Sequence, residues 1–248
     1  MKLVNNILIC LSIFIGLGCS AADSAKEAPR AKMSDEVKEI IAKSKKAMNF
    51  DKMADIKTME QDANIALMGM NIKGTINIKL ADKSLLITSK IANIVEKQGY
   101  NGKDAWSENI ATGLRILKGA EKLNLISETL QYSFHPEKFY DEIKLVGKED
   151  FNGKECFKLE LIRDGMDNSF EYINTKTYLI DGLQETLITP QGKMKATTKV
   201  LGYKDHEKGF KYATKFTQSM GPMSISINMD KIKINPKFDN AVFNPPAQ

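Results

Sequence analysis

Apolar and polar residues alternate with a period of two over most of the chain, beginning at Thr58. Such alternation is typical of β-strands that bury one face. The clearest segment runs from 72 to 80, where Ile and Leu alternate with Lys, Thr and Asn. Asn-Gly pairs at 101–102 and 152–153 favour tight hairpin turns, because both residues tolerate positive φ. The pattern predicts about ten or eleven short antiparallel strands.

Two segments have helical periodicity instead. The first follows Ser34, which is a favourable N-cap residue, and Asp35 and Glu36 occupy its first turn. Its apolar residues recur at helical spacing: Val37, Ile40 and Ile41. The second segment, 120–132, presents an apolar face consisting of Leu123, Ile126 and Leu130. We therefore predict an N-terminal helix and a helical insert between two groups of strands.

These elements together predict the fold class. A sheet with this many short strands curls rather than staying flat. Helices then have one natural location, the concave side, where they cover apolar residues. We predict a mainly β fold of the α+β class: an unclosed, strongly curved antiparallel half-barrel with helices on its concave face. Residues 33–248 are expected to form it as a single domain.

The N-terminus has a different pattern, an uninterrupted apolar stretch over residues 7–17. The stretch is shorter than the roughly 20 apolar residues of a transmembrane helix, and it has the length of the apolar region of a signal peptide. Two cleavage sites are possible: before Cys19, in the lipobox-like sequence Gly-Leu-Gly-Cys, or after Ala22. The Cys that directly follows a small residue favours the first. We predict a signal peptide (1–18), a lipidated Cys19 and a flexible tether up to residue 32.

Composition and charge limit where the protein acts and what it binds. Removal of the signal peptide and lipidation of Cys19 leave Cys156 as the remaining thiol, so the exported domain must rely on its own core. Positive and negative residues, 36 and 31, are mixed along the chain without a basic block, so we expect no nucleic-acid binding. We predict a monomer anchored by lipid and facing the periplasm. Ser20, rather than Asp, after the anchor favours the outer over the inner membrane.

The residues with catalytic potential are few. His135 precedes a proline and His206 lies in a charged turn, and neither belongs to a nucleophile motif, so both are expected on the surface. Cys156 lies in a predicted strand and is expected to be a buried, unreactive thiol. No zinc-type cluster, phosphate loop or calcium loop is found in the sequence. We predict a protein that is not an enzyme and that has no cofactor and no metal site.

Methionines occur at two predicted turns, in Met68-Gly69-Met70 and Met220-Gly221-Pro222-Met223. Ordinary core filling is the favoured interpretation. A deformable apolar surface for acyl chains is the second, because methionine adapts to irregular partners. Binding of Cu(I) by thioethers is the third, although neither His nor Cys accompanies these residues.

Short turn and strand signatures occur in a characteristic order: 55–58 (DIKT), 100–106 (YNGKDAW), 145–148 (LVGK), 152–157 (NGKECF), 172–179 (YINTKTYL), 232–235 (IKIN) and 243–246 (FNPP). In order and spacing the chain resembles the outer-membrane lipoprotein-sorting group with the LolA/LolB-like fold, over nearly all of the mature part. The resemblance implies an unclosed barrel with an apolar cavity, which in characterised members receives the acyl chains of lipoproteins. The functional Arg and the membrane-inserting loop of those members match no residue here.

The sequence leaves two functional interpretations. In the favoured one, the protein is an envelope lipoprotein that binds a lipid or a lipoprotein acyl chain in a half-barrel cavity, with a role in lipoprotein or lipid trafficking. The candidate lining residues are Leu67, Met70, Ile76, Ile78, Trp106, Leu123, Ile126, Leu130 and Met223. In the alternative, the core is filled and the protein is a structural or interaction lipoprotein that binds a protein partner.

Overall fold

The computed structural model describes residues 31–67, 69–80, 83–127, 135–189 and 192–247. Within these residues, thirteen strands form one antiparallel sheet. In chain order the strands are β1 Thr58–Leu67, β2 Met70–Lys79, β3 Ser84–Ile91, β4 Ile94–Tyr100, β5 Ala105–Asn109, β6 Gly113–Leu117, β7 Glu142–Phe151, β8 Lys154–Ile162, β9 Ser169–Asn174, β10 Ile180–Thr189, β11 Gly192–Asp205, β12 Lys211–Met220 and β13 Met223–Ile234.

The strand order across the sheet is β6-β5-β4-β3-β2-β1-β13-β12-β11-β10-β9-β8-β7. The chain therefore starts near the middle and meanders outward to β6 at one edge. It then crosses to β7 at the other edge and meanders back until β13 pairs with β1. Because β6 and β7 lie at opposite ends of this order, the sheet is an unclosed half-barrel, and the predicted fold class is confirmed.

Three α-helices lie in the described residues: α1 Asp35–Ala47, α2 Gly119–Ser127 and α3 Pro136–Phe139. The predicted N-cap of α1 is confirmed, because Ser34 Oγ accepts a hydrogen bond from the backbone N–H of Val37 at 3.3 Å. Helices α2 and α3 belong to the connection between the two edge strands. The helical insert predicted for 120–132 thus begins at Gly119, and its part from residue 128 lies outside the described residues.

The number of strands is larger than the predicted ten or eleven. The short strand β5, with five residues, accounts for part of the difference. Strand β5 is buried on both faces, so its sequence lacks the alternation by which longer strands are recognised. Strand β5 is recognised from its pairing with both neighbours, in which Trp106 lies opposite Gly99 of β4 and opposite Ile116 of β6.

The two faces of the sheet carry separate cores. The main core combines the inner side chains of the strands with α1, which contributes Val37, Ile40 and Ile41. Two smaller clusters lie on the other face: one contains Leu86, Trp106 and Phe243, and the other contains Phe151, Cys156 and Tyr172. The face that carries α1 is therefore the concave face with the main core, and the outer face has its own apolar contacts.

The N-terminal predictions fall largely outside the described residues, including the signal peptide, Cys19 and the tether up to residue 30. Two residues at the end of the predicted tether are described: Ala31 N–H donates to Glu137 O of α3 at 2.9 Å, and Lys32 pairs with the start of β7, with Ile143 N–H donating to Lys32 O at 3.0 Å. The predicted tether therefore ends in backbone contacts with α3 and β7. Among the described residues, no helix has the length and apolar character needed to cross a membrane.

Candidate functional site

Helix α2 contacts strands from both halves of the sheet, namely β4 and β5 near one edge and β10 on the other side. The Asn124 side chain donates a hydrogen bond to the backbone oxygen of Thr186 in β10 at 3.2 Å. At the other end of the helix, both carboxylate oxygens of Glu121 lie 3.1 Å from Arg115 in β6. Helix α2 thus bridges the two halves on the concave side.

Methionines cluster at one end of the half-barrel, where the hairpins β1–β2, β10–β11 and β12–β13 turn. The register places Met70 opposite Leu67, Met223 opposite Met220, and Met194 opposite Leu187. We call Met70, Met194, Met220 and Met223 the methionine rim. Met220 is buried, whereas the other three are partly exposed and pack against the main core. Among the rim residues, Met194 is nearest to α2 in register, because its partner Leu187 follows the residue that accepts the Asn124 hydrogen bond.

Most of the predicted lining residues lie on the concave side, but they differ in exposure. Leu67, Ile76 and Ile78 are fully buried in the main core. Met70, Met223 and Ile126 are partly buried against the same core. Two further predicted lining residues belong to the helical insert. Leu123 is half-buried, and Leu130 lies outside the described residues. The accessible apolar surface predicted from sequence is therefore confined to the rim and α2.

Trp106 is a correction to the predicted lining. Its side chain lies on the outer face, where its indole Nε1–H donates a hydrogen bond to Phe243 O at 2.9 Å. Its register partner Gly99 leaves room for the ring, since a Cβ there would lie 2.3 Å from the indole. Trp106 alternates with Ala105, which faces the main core. Because β5 is buried on both faces, its sequence does not indicate which side the tryptophan occupies.

A pocket of about 360 Å³ opens at the opposite end of the half-barrel from the methionine rim. Tyr212 and Met229, which belong to the main core, form its apolar wall. Its polar wall consists of Lys204, Asp205, His206, Glu207 and Asp230. The pocket reaches the lower size range of small-molecule sites, about 300–1,000 Å³.

Both histidines are less exposed than predicted. His206 is 7% exposed and its ring stacks on Phe210 with centroids 4.4 Å apart. Its Nδ1 accepts a hydrogen bond from the backbone N–H of Lys208 at 3.1 Å, which fixes the loop between β11 and β12. His135 is held in an ion-pair cluster beside α1. Each histidine therefore stabilises a loop or helix contact.

The ion-pair cluster joins the C-terminal part of α1 to α3. Lys45 Nζ lies 2.7 Å from Glu137 Oε1, and His135 Nδ1 lies 2.9 Å from the same oxygen. Burial raises the pKa of Glu137, but the hydrogen bond with His135 and the charge of Lys45 outweigh it and lower that pKa to about 2. The carboxylate is thus held ionised between two partly buried partners.

The carboxyl group of Glu171 is also buried, but unlike that of Glu137 it forms no ion pair among the described residues. Glu171 in β9 is 6% exposed, and its register partners on both sides are leucines, Leu159 and Leu183. Burial raises the pKa of Glu171 to about 7. Sequence reasoning missed it, although the alternation in the segment 170–173 places Glu171 in phase with the inner-facing Ile173. A charged residue at an apolar position of a strand was the available signal.

Cys156 is fully buried, as predicted. Burial and the neighbouring Asp181 carboxylate raise the pKa of the Cys156 thiol to about 12, so the thiol stays protonated at neutral pH. Asp181 is itself satisfied by Lys154, whose Nζ lies 2.6 Å away, and by the Asn174 side chain at 2.8 Å. In the part of the chain that the structure describes, no group of three or more His, Cys, Asp or Glu residues is arranged to hold a metal ion.

The fold has counterparts among solved structures. A DUF1329 family protein from Desulfovibrio piger superposes with a TM-score of 0.57 and 16% identity, covering 85% of this chain and 98% of that one. A domain named for outer membrane lipoprotein sorting, from Vibrio parahaemolyticus, gives 0.55 and 14% identity over 83% and 95%. A LolA superfamily protein from Nitrosomonas europaea gives 0.54 and 11% identity over 84% and 96%.

These likenesses confirm the predicted resemblance to the LolA-like group at the level of fold. At such low identities they concern the arrangement of the chain and transfer no residue roles. No family model matches the sequence. No curated protein matches it either.

Proposed function

We propose that this protein is a cell-envelope lipoprotein that binds the apolar chain of a lipid or lipoprotein on the concave side of its half-barrel, in lipid or lipoprotein trafficking. The observation that carries the proposal is the methionine rim, a partly exposed apolar surface at one end of the core, of which Met194 lies on β11, the strand next to the α2-contacting strand β10. The LolA-like fold supports the same role by analogy.

The rim suits a flexible chain because methionine side chains are unbranched and adapt to irregular apolar partners. An acyl chain that reaches past the rim meets inner-facing leucine and isoleucine residues such as Leu67 and Ile225. Binding free energy would then come from apolar burial, at about 25 cal/mol per Å². Access to the interior requires α2 to move, since this helix connects the two halves of the sheet.

The predicted anchor at Cys19 is part of this proposal. Lipidation would hold the folded part at a membrane surface, where its ligands are found. Replacement Cys19→Ala should shift the protein from the detergent phase to the aqueous phase in detergent-phase separation and abolish incorporation of labelled fatty acid. Retention of the label by Cys19→Ala, with cleavage after Ala22 in the wild type, would refute lipidation at this position.

A second candidate is an interaction protein with a filled core. It is favoured by the complete burial of Leu67, Ile76 and Ile78. Apolar side chains on the surface offer contacts for a partner, with Val146 of the edge strand β7 56% exposed and Ile116 of the edge strand β6 48% exposed. In this alternative the edges of the sheet, rather than its concave side, carry the function.

Native mass spectrometry separates the two candidates. The soluble form starting at Ser20 is expressed into a periplasm, and its mass is measured before and after lipid extraction. A lipid or fatty acid bound at near one-to-one ratio supports the first candidate. A ligand-free mass, together with no uptake of added fatty acid, contradicts it and favours the filled core.

A further inference from the structure

A small, partly open and mainly apolar cavity lies between helix α1 and strands β9 and β10. Its volume is about 20 Å³, room for about one water molecule. Its polar lining comes from Ser44 and Lys45 on α1 and Glu171 on β9, and Ile173 and Ile180 are among its apolar lining residues. The cavity therefore lies under the helix that covers the concave side.

Two polar groups face this cavity without a full set of partners. Ser44 Oγ is buried and has no hydrogen-bond partner in the described part of the chain. Glu171 forms no ion pair there and lies between Leu159 and Leu183. A buried hydroxyl or carboxyl group that lacks a hydrogen bond is costly, so both groups favour a bridging water molecule.

We propose that this cavity is a proton-sensitive latch, in which a water molecule joins the protonated Glu171 carboxyl group to Ser44 Oγ and holds α1 on the sheet. A protonated carboxyl group offers both a donor and an acceptor to that water. The ionised form in the same apolar surroundings is unfavourable. Loss of the proton therefore increases the fraction of molecules in which α1 has lifted and water reaches Glu171.

Among the described residues, the charged and titratable groups around Glu171 do not supply a compensating cation. On α1, Lys45 is held by Glu137 and His135. Tyr140, which follows α3, and Tyr203, on β11, lie near Glu171, and burial raises the pKa of both phenols so that they stay neutral. On the adjacent strand, β10, the ionisable groups are Asp181 and Glu185, and both add negative charge. The Arg163 guanidinium, at the end of β8, opposes the rise in the pKa of Tyr140 and packs over the Phe139 ring.

The size of the effect follows from proton linkage. The pKa of Glu171 is about 7 when α1 is seated and returns to 4.5 when the group is exposed to water. A raised carboxyl pKa means that the seated state is fully favoured below pH 4.5 and loses this advantage as the pH rises through 7. The equilibrium constant for lifting α1 should increase about 30-fold between roughly pH 5.5 and pH 8.5.

Hydrogen exchange of the backbone amides of α1 measures this equilibrium in the purified protein. Rates are corrected for the intrinsic pH dependence, and amides of the central strand β13 serve as the internal reference. We expect the opening of α1 to increase about 30-fold over this pH range in the wild type. Glu171→Gln, which is nearly isosteric and always neutral, should remove the increase. Glu160→Gln, on the neighbouring strand and the outer face, should retain it.

An unchanged pH dependence in Glu171→Gln, or a wild-type α1 whose opening does not vary with pH, would overturn the latch. If Glu171→Gln fails to fold, a carboxyl ¹³C titration of the wild type decides instead: a midpoint near 7 supports the latch, and a carboxyl group already ionised at about pH 5.5 overturns it. The experiment uses no lipid, so its outcome is independent of the proposed ligand.

Discussion

The Trp106 indole donates a hydrogen bond to the backbone oxygen of Phe243, 137 positions further along the chain, at 2.9 Å. This bond ties the C-terminal segment to the outer face of β5, and Phe238 and Phe243 pack there edge to face. The C-terminal segment thus covers the part of the outer face around Trp106.

The space under the Trp106 ring depends on Gly99. A Cβ on Gly99 would lie 2.3 Å from the indole, whereas one on Gly74 would meet its nearest neighbour at an ordinary 3.5 Å. We expect Gly99→Ala to lower the free energy of unfolding by about 1–3 kcal/mol, because the ring or the strand must shift. Urea denaturation measures the change. Gly74→Ala, also in a strand, is the control and should change stability much less; equal effects would contradict the packing argument.

The ion-pair cluster of Glu137 predicts a dependence of stability on pH. A lowered carboxyl pKa stabilises the folded state above its ordinary value of 4.5, and this contribution is lost as the pH falls through about 2. Glu137→Gln should therefore reduce the free energy of unfolding by about 3 kcal/mol at neutral pH. The difference from the wild type should shrink as the pH approaches 2.

The control for this variant is Glu39→Gln, which removes an exposed i,i+4 pair with Lys43. Exposed pairs contribute little, so its effect should stay below about 0.5 kcal/mol. Thermal or urea unfolding from neutral pH downward measures both variants. A Glu137→Gln effect that stays constant at all pH values would show that packing, rather than charge, is responsible.

The methionine rim predicts where ligand binding is lost. We expect the double variant Met70→Gln and Met223→Gln to bind a fluorescent fatty acid about tenfold more weakly, because the polar side chains remove apolar contact area. Ile116→Gln removes exposed apolar surface from the outer face and should leave binding unchanged. Equal losses in both variants would indicate unspecific adsorption.

Helix α2 provides a test of access to the interior. The backbone oxygen of Thr186 accepts the Asn124 hydrogen bond, and the next residue, Leu187, points inward to the side on which α2 lies. Cysteines at positions 124 and 187 are therefore the pair for a disulfide that would fix α2 to β10. We expect exchange of bound lipid to stop in the oxidised form and to resume after reduction of the same protein. Unchanged exchange in a fully cross-linked sample would show that α2 is not the element that moves.

The features that the sequence predicted depend on residues close together in the chain, whereas the features it did not predict depend on contacts between distant segments. Alternation over 72–80, the Asn-Gly turns and the N-cap at Ser34 are local signals, and the structure confirms the elements they predicted. Helix α1 is placed on the concave side because its apolar stripe requires an apolar partner.

The sequence by itself determined an α+β chain of strands with alternating polarity and of amphipathic helices, since side-chain periodicity, helix capping and turn preference depend on neighbouring residues. Only the tertiary structure decided which face each buried residue occupies. Trp106 lies outward because β5 is covered on both sides, and Glu171 lies inward because β8 and β10 place Leu159 and Leu183 beside it. Such placements depend on pairing between distant strands, which a local pattern does not contain.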